Sequence, residues 1–462
     1  MKLKNLLAMH IHFIAIGGSA MHNLAIALKQ KGYEITGSDD EIFEPSLSRL
    51  KANGLLPSYT GWNPDVITSK LDAVVLGMHA RSDNPELLKA KELGLKIYSY
   101  PEYLYEQTKE KKRIVVGGSH GKTTTTAMIM HVLKYCDIKF DYMVGAQLDG
   151  FDNMVAFSDD SEYAVFEGDE YLTSPIDPRP KFHVYKPSIG IILGIAWDHI
   201  NVFPTFEIYQ NQFLKYINCI EPNGTLIYCA EDQNVLNTVA EVKRTDIELI
   251  PYKTHPYKVD KAGNYFLLNG TNEYKQKVFG AHNMQNISAA LNACLKAGIK
   301  PEQFYRAIST FPGAAKRLQT LAKNESTTVF LDFAHSPSKV SATVKAVKET
   351  FSHRKLIACL ELHTFSSLTK EFLSQYKNAL ADADIPFVFY NPKTIEHKKL
   401  PPLKPEEVAT NFGISVKSVF TNAQELINDL HKIAAANACF LIMTSGNFSG
   451  MDLNKLAHDL CL

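Results

Sequence analysis

One stretch constrains this chain more than any other: IVVGGSHGKTTTTAMI, Ile114 to Ile129. A short β-branched run leads into glycines, then Lys122, then four threonines. A helical pattern follows, in which Ile129, Val132, Leu133 and Cys136 share one face. Strand, glycine turn and helix start, in that order, build an anion site. The first turn of a helix has backbone N–H groups without intrahelical partners and carries the positive end of the dipole. Phosphate suits both. Lys122 is placed to reach the outer phosphates of a nucleotide, and the Thr123 hydroxyl to ligate Mg²⁺. The spacing departs from the usual G-x-x-x-x-G-K-[ST] loop, because Val116 stands where the first glycine belongs. The turn here is more compact.

The rest of the chain is organised around that turn. Its 462 residues are enough for two to four domains. Apolar residues make up 45% and charged ones 21%, which excludes an intrinsically disordered chain. Lys+Arg and Asp+Glu are equal at 49 each, so bulk charge points to neither nucleic acid nor a membrane surface. Seven scattered cysteines with no Cys-x-x-Cys argue against a zinc site or a disulfide framework. No signal peptide and no apolar run of membrane-spanning length is found, so the expected location is cytoplasmic.

Three α/β parts are expected: 1–110, 111–312 and 313–462. IHFIAI (Ile11–Ile16) is a buried-strand run, followed by Gly17, Gly18 and a helical pattern of Met21, Leu24, Ala25 and Leu28 ending near Gly32. EITGSDD then brings Asp39 about twenty residues past the glycines, where dinucleotide folds read a ribose. The G-x-G-x-x-G spacing is absent, which weighs against a nicotinamide enzyme. LDAVVLGMH and LKIYSY are further parallel strands. KEKKR (Lys109–Arg113) marks either a domain boundary or a solvated helix end. EYAVFEGDE and PSIGIILGIAWDH continue a mostly parallel sheet, the latter a strand ending at His199. VFLDFAH, KLIACLEL, PFVFYN and CFLIMTSG supply the strands of the third part.

GGSHGKTTTT closely resembles the compact phosphate loop of the Mur ligases, the ATP-dependent amide-forming enzymes of peptidoglycan precursors. Other segments resemble that family in its own order: IHFIAIGGSAMHNLAIAL and MHARSDNPEL in the first domain, FEGDE and AWDHINVFP at the metal site, GAHNMQNISAAL at the adenine, FPGAAKRLQ and LDFAHSPSKV at the third domain. The resemblance implies a Rossmann-like first domain that binds a UDP-sugar, a central P-loop ATPase domain and a Rossmann-like acceptor domain. It implies ATP and Mg²⁺ as cofactors, UDP-N-acetylmuramate as substrate, and an amino-acid or peptide acceptor joined through an acyl phosphate. FEGDEYLTSPIDPRPKFHVYKP, AWDHINVFPTFEIYQNQF and IMTSGNFSGM lean toward the branch that adds the tripeptide L-Ala-γ-D-Glu-meso-diaminopimelate. L-Alanine is the alternative acceptor, and LELHTFSSLTKEF (Leu360–Phe372) departs from both patterns. A non-catalytic nucleotide-sugar sensor is the alternative of another class; retention of Lys122, Thr123, Glu167 and His199 argues against it.

The resemblance also distributes roles. Lys122, Glu167, His199 and Arg317 are the expected catalytic set. Gly118, Ser119, His120, Gly121, Lys122, Thr123 and Thr124 form the expected ATP loop, with Asn283 and Asn286 on adenine, Arg317 on the γ-phosphate and Asp332 on the ribose side. Asn283 is alternatively a helix cap. Thr123, Glu167 and His199 are expected on metal, with Asp198 orienting the imidazole. Asp169 and Glu170 read equally well as loop acids. Gly17, Gly18, Ser19, Ala20, Met21, Ser38, Asp39 and His79 are expected around the UDP-sugar, and His335 on the acceptor side. Lys316 reads as a surface charge, and Gly313, Ala314 and Ala315 suit a hinge. Several Mur ligases carry a carbamylated lysine some fifteen residues past the histidine. Phe213 occupies that position, with Lys215 two residues on, so no carbamylation is expected.

Overall fold

The computed structural model describes residues 9–78, 80–260, 263–314, 317–433 and 437–461. His79, Ala315 and Lys316 lie outside them. The chain forms two compact units. One comprises Met1–Ile195, Gln210–Tyr252 and Ala289–Pro301; the other Ala196–Tyr209, Lys253–Ser288 and Glu302–Leu462. No described helix is long and apolar enough to cross a membrane. All seven cysteines are free thiols.

The first unit holds two parallel sheets. In the smaller one His10–Ile14 pairs with Glu34–Ser38 on one side and Ala73–Leu76 on the other, and Ile97–Ser99 completes the edge. Ile11, Phe13 and Ile14 are fully buried, as expected of a strand covered on both faces. The helix Ser19–Gln30 follows, and Gly32, at φ +93°, lets the chain leave it.

The larger sheet has seven strands in the order Glu248–Tyr252, Thr225–Cys229, Ile189–Ile192, Lys112–Gly117, Tyr163–Glu167, Phe140–Met143, Val155–Ala156. All neighbours are parallel except the last pair, a hairpin. The helix Lys122–Tyr135 packs on it with Met128, Ile129, Met130, Val132 and Leu133 all buried. That burial goes further round the helix than the single face read from the sequence.

The second unit is built on a six-stranded sheet in the order Gln319–Lys323, Thr327–Asp332, Ala438–Met443, Lys355–Leu362, Ile385–Tyr390, Val419–Phe420. Only the first strand is antiparallel to its neighbour. Alternate residues go to opposite faces, as the strand period of two requires. Leu356, Ala358, Leu360, Leu441 and Met443 join one cluster with Val340, Val344 and Val347. Ile357, Cys359, Phe440 and Ile442 join the other with Leu426 and Leu456. The chain also forms an antiparallel meander over Tyr257–Val259, Tyr265–Asn269 and Asn272–Lys275, which no sequence pattern announced.

The charged run KEKKR is not solvated throughout. Lys112 and Arg113 begin the central strand, and Arg113 is completely buried. Its guanidinium donates to the carbonyls of Thr108, Lys109, Lys111, Tyr185 and Lys186 and pairs with Glu221. A planar cation with five donors satisfies a chain reversal that lysine could not. Arg113→Met would strip those carbonyls of their donors and is expected to cost about 3–5 kcal/mol, measured by urea unfolding. A loss below about 1 kcal/mol, the value of an exposed pair, would contradict this account.

Candidate functional site

The strand Lys112–Gly117 ends in a turn that needs its glycines. Gly118 has φ +136°, and a Cβ there would lie 3.0 Å from the backbone nitrogen of Leu193. Gly121 has φ +76° at the N-cap of the helix, with no side chain capping the first turn. The first turn of a helix presents backbone N–H groups without intrahelical partners, and these are what an anion would meet. Ser119 donates its N–H to the Gly194 carbonyl at 2.9 Å, which ties the loop to the neighbouring strand's exit. A Cβ at Gly194 would be 2.6 Å from the His120 ring and 3.0 Å from the Asp232 carboxylate, so only glycine lets that ring lie there.

Two carboxylates meet the first two helix side chains. Lys122 Nζ donates to Glu170 Oε2 at 2.6 Å and to the Gly118 carbonyl at 2.7 Å. Burial alone would push the lysine down; Glu170 and Asp169 beside it hold it above its usual value. The Thr123 hydroxyl donates to Glu167 Oε1 at 2.9 Å, and Gly145 N–H donates to Oε2 at 2.8 Å. Asp169 pairs with Lys181. Burial raises that acid, and Lys181 more than reverses the effect. Thr123 and Glu167 together offer oxygen donors of the kind a hard dication takes. Gly145 belongs to this constellation and was not singled out from the sequence, whereas Glu170 was weighed evenly against a loop acid. FEGDE carried the signal for Glu170, but spacing alone does not say which of three acids turns inward.

At the first glycine turn, Asp39 accepts from Gly17 N–H at 2.6 Å. Burial raises its carboxyl, and the Gly17 bond works against that. Asp39 therefore closes the turn on itself, and the Gly17 N–H is engaged by protein. Ser38 faces inward: its hydroxyl bonds Glu86, which also takes the Asn63 N–H at 2.8 Å and lies 3.3 Å from His12 Nε2. With both side chains so held, the helix start at Ser19, Ala20 and Met21, led by Gly18 as its N-cap, is the part of this turn that can face an anion. One turn on, Asn23 is 1% exposed and meets the loop between Met143 and Val155. Asn153 donates to the Asn23 carbonyl at 2.9 Å, and Arg49 donates to the Asn153 side-chain oxygen at 2.8 Å.

The strand read as ending at His199 ends earlier, at Ile192 in the first unit, and His199 itself belongs to the second. His199 sits in a loop at φ +55°, a conformation uncommon outside glycine. Asp198 accepts from the backbone N–H of His199 at 2.8 Å. Trp197 fixes the loop by donating to the Phe203 carbonyl at 3.0 Å and by meeting Phe372 edge-on. Lys339 Nζ lies 3.9 Å from Asp198. His335 holds the Phe333 carbonyl at 2.8 Å, and burial, then Lys339, pushes its imidazole down.

Asp332 accepts from Leu318 N–H and Ala334 N–H, each at 2.7 Å, so both oxygens brace backbone. The Arg317 guanidinium lies 4.7 Å from the Phe333 ring centroid, a cation–π contact. Asn283 is in the first turn of the helix Ala281–Lys296, not before it, and donates to the Phe279 carbonyl at 2.8 Å. Asn286 lies one turn on, its amide 3.5 Å from the Asn283 oxygen.

Phe213 is fully buried against Phe182, and Lys215 is exposed. Beside them His183 stacks on Phe182, and its Nε2 is 2.7 Å from the Gln212 carbonyl. A carbonyl only accepts, so that nitrogen carries the proton. Burial pushes this imidazole down to about 4. The unfolded chain takes up the proton near about 6.5. Stability from His183 is therefore complete above that pH and is lost as pH falls toward 4. His183→Gln, which keeps a donor and cannot charge, is expected to remove on the order of 2 kcal/mol of this acid sensitivity. Urea midpoints of both proteins at pH 7 and pH 5 test it; parallel curves would refute it.

Residues 10–112 match the Mur ligase family catalytic domain, 116–294 the Mur ligase middle domain, and 316–446 the Mur ligase glutamate ligase domain. The UDP-N-acetylmuramate–L-alanine ligase of Caldicellulosiruptor saccharolyticus is 34% identical over 390 residues, 80% of this chain and 81% of that protein. The UDP-N-acetylmuramate–L-alanyl-γ-D-glutamyl-meso-2,6-diaminoheptandioate ligase of Haemophilus influenzae is 28% identical over 460 residues, covering 96% and 97%. The crystal structure of a UDP-N-acetylmuramate–alanine ligase from Thermotoga maritima superposes with a TM-score of 0.68 at 21% identity, over 96% of this chain and 97% of that one. The chain belongs to the Mur ligase family and has its three-domain α/β fold. It is an ATP-dependent, ADP-forming ligase of peptidoglycan precursors.

Proposed function

We propose that the protein joins the lactyl carboxylate of UDP-N-acetylmuramate to the amine of L-Ala-γ-D-Glu-meso-diaminopimelate, in the cytoplasm, as a peptidoglycan-recycling step. The observation that carries this choice is extent. The likeness to the Haemophilus ligase named for that peptide runs over 460 residues, where the likeness to the Caldicellulosiruptor alanine ligase runs over 390. The second relative is the more identical, 34% against 28%, so L-alanine is the competing acceptor. Domains over 1–110, 111–312 and 313–462 divide the work among sugar, nucleotide and acceptor.

A carboxylate oxygen of the sugar acid attacks the γ-phosphorus of ATP and ADP leaves. The acceptor amine then attacks the acyl carbon, loses a proton and expels phosphate. Gly118, Ser119, His120, Gly121, Thr123 and Thr124 surround the phosphates with N–H and hydroxyl donors, and Lys122 offsets their charge. Thr123 and Glu167 would hold Mg²⁺, which when bound neutralises charge on the phosphate oxygens. His199 serves the acyl end without a carbamylated lysine, Phe213 standing in that position. Arg317 serves the γ-phosphate through its planar fork. Asn283 and Asn286 take adenine, and His335 lies toward the acceptor. Asp332, with both oxygens on backbone, acts by shaping the segment that carries Arg317. Gly17, Gly18, Ser19, Ala20, Met21, Ser38 and Asp39 shape the UDP-sugar turn; His79, assigned there from the sequence, lies outside the described residues.

The decisive assay offers each acceptor separately with UDP-N-acetylmuramate and ATP, and follows ADP release. Turnover with the tripeptide and at least about a hundredfold less with L-alanine is expected, since a site built for hydrogen-bonding groups rejects an analogue lacking them. Turnover with L-alanine alone would reverse the assignment. Lys122→Ala is expected to lower kcat by about a thousandfold or more, as loss of a charge aimed at a transferring phosphoryl group does. Unchanged turnover in that variant would sink the nucleotide reading.

A further inference from the structure

The lysine that the proposed function gives to phosphate is already occupied. Lys122 is 13% exposed in its side chain, and its partner Glu170 only 1%. Its ammonium donates to Glu170 Oε2 and to the Gly118 carbonyl, both groups of the protein itself. The acid is fixed in place. Gly168 presses on the central strand, where a Cβ would be 3.0 Å from Val115 and 3.1 Å from the Val116 carbonyl. Its N–H donates to that carbonyl at 2.8 Å. Next to Glu170, Asp169 is held by Lys181 and by the Tyr171 N–H, and its own carbonyl takes the Phe182 N–H. With backbone pinned on both sides, Glu170 stays where it is. The long lysine stem is the member of the pair that can move.

We propose that Glu170 is a positioning residue that latches Lys122 against its own loop, so that an arriving triphosphate must take the ammonium from a buried carboxylate. Breaking a buried pair leaves an uncompensated charge, which opposes the exchange. Glu170 thus sets the affinity for nucleotide and holds it below what the loop alone would give. This rests on the ATP role of Lys122.

The test is direct binding of ATP to the full chain, by calorimetry in EDTA and again with magnesium. Glu170→Gln leaves a neutral group behind when the lysine departs, and is expected to tighten metal-free ATP binding about tenfold. Glu170→Asp keeps the charge and is expected to bind like the parent. Unchanged or weaker metal-free binding in Glu170→Gln overturns the latch, as does tightening common to both variants. A loss confined to the magnesium arm would make Glu170 a metal holder and overturn it too. Lys122→Ala separates the two readings. If it binds ATP as the parent does, the nucleotide role fails; if it loses binding while Glu170→Gln changes nothing, only the latch fails.

Discussion

Two acids meeting two neighbouring side chains at one helix start, Glu167 on Thr123 and Glu170 on Lys122, are what the rest of the first unit is arranged to produce. The parallel register puts Val116 opposite Glu167, so the glycine turn and the acidic segment leave the sheet side by side. Gly168 then allows the acidic segment to lie against the strand end. Ligands gather beyond the carboxyl ends of parallel strands because helix starts and loops converge there. Here the convergence brings anionic and cationic groups close enough to balance one another.

The same acid connects to the first glycine turn. Gly145 gives its N–H to Glu167, and a Cβ at that position would lie 3.0 Å from the Glu167 carboxylate oxygens. The loop that begins at Gly145 is held at its far end by Asn23 and Arg49. Asn23 belongs to the helix that follows Gly17 and Gly18. One loop, hydrogen-bonded at both ends, therefore links the two glycine turns. A ligase that must present a sugar acid to a phosphate has use for such a rigid tie, since misplacement by an ångström costs rate.

Much of this was legible in the amino-acid order. The buried strands, the helix after Lys122 and the third part's alternating strands follow from periodicity, because burial on both faces demands unbroken apolar runs. Charge was misleading where burial overruled it. Arg113 looked like part of a solvated run and is one of the most enclosed side chains in the molecule. Ser38 and Asp39 were read beside a ribose, and the structure shows in addition that they brace Glu86 and Gly17. Polar residues at a strand end can face ligand or frame, and linear spacing is the same in both cases.

The sequence by itself determined the main succession of strands and helices around the glycine turns, the compact turn before Lys122 and the family, because each depends on residues close together in the chain or on motifs in fixed succession. Tertiary structure alone decided which of the acids at 167, 169 and 170 meets which partner. It also decided that His199 leaves its strand early and that Asp332 braces backbone. These choices turn on approaches of a few ångströms between segments far apart in sequence, and packing density, not local propensity, settles them.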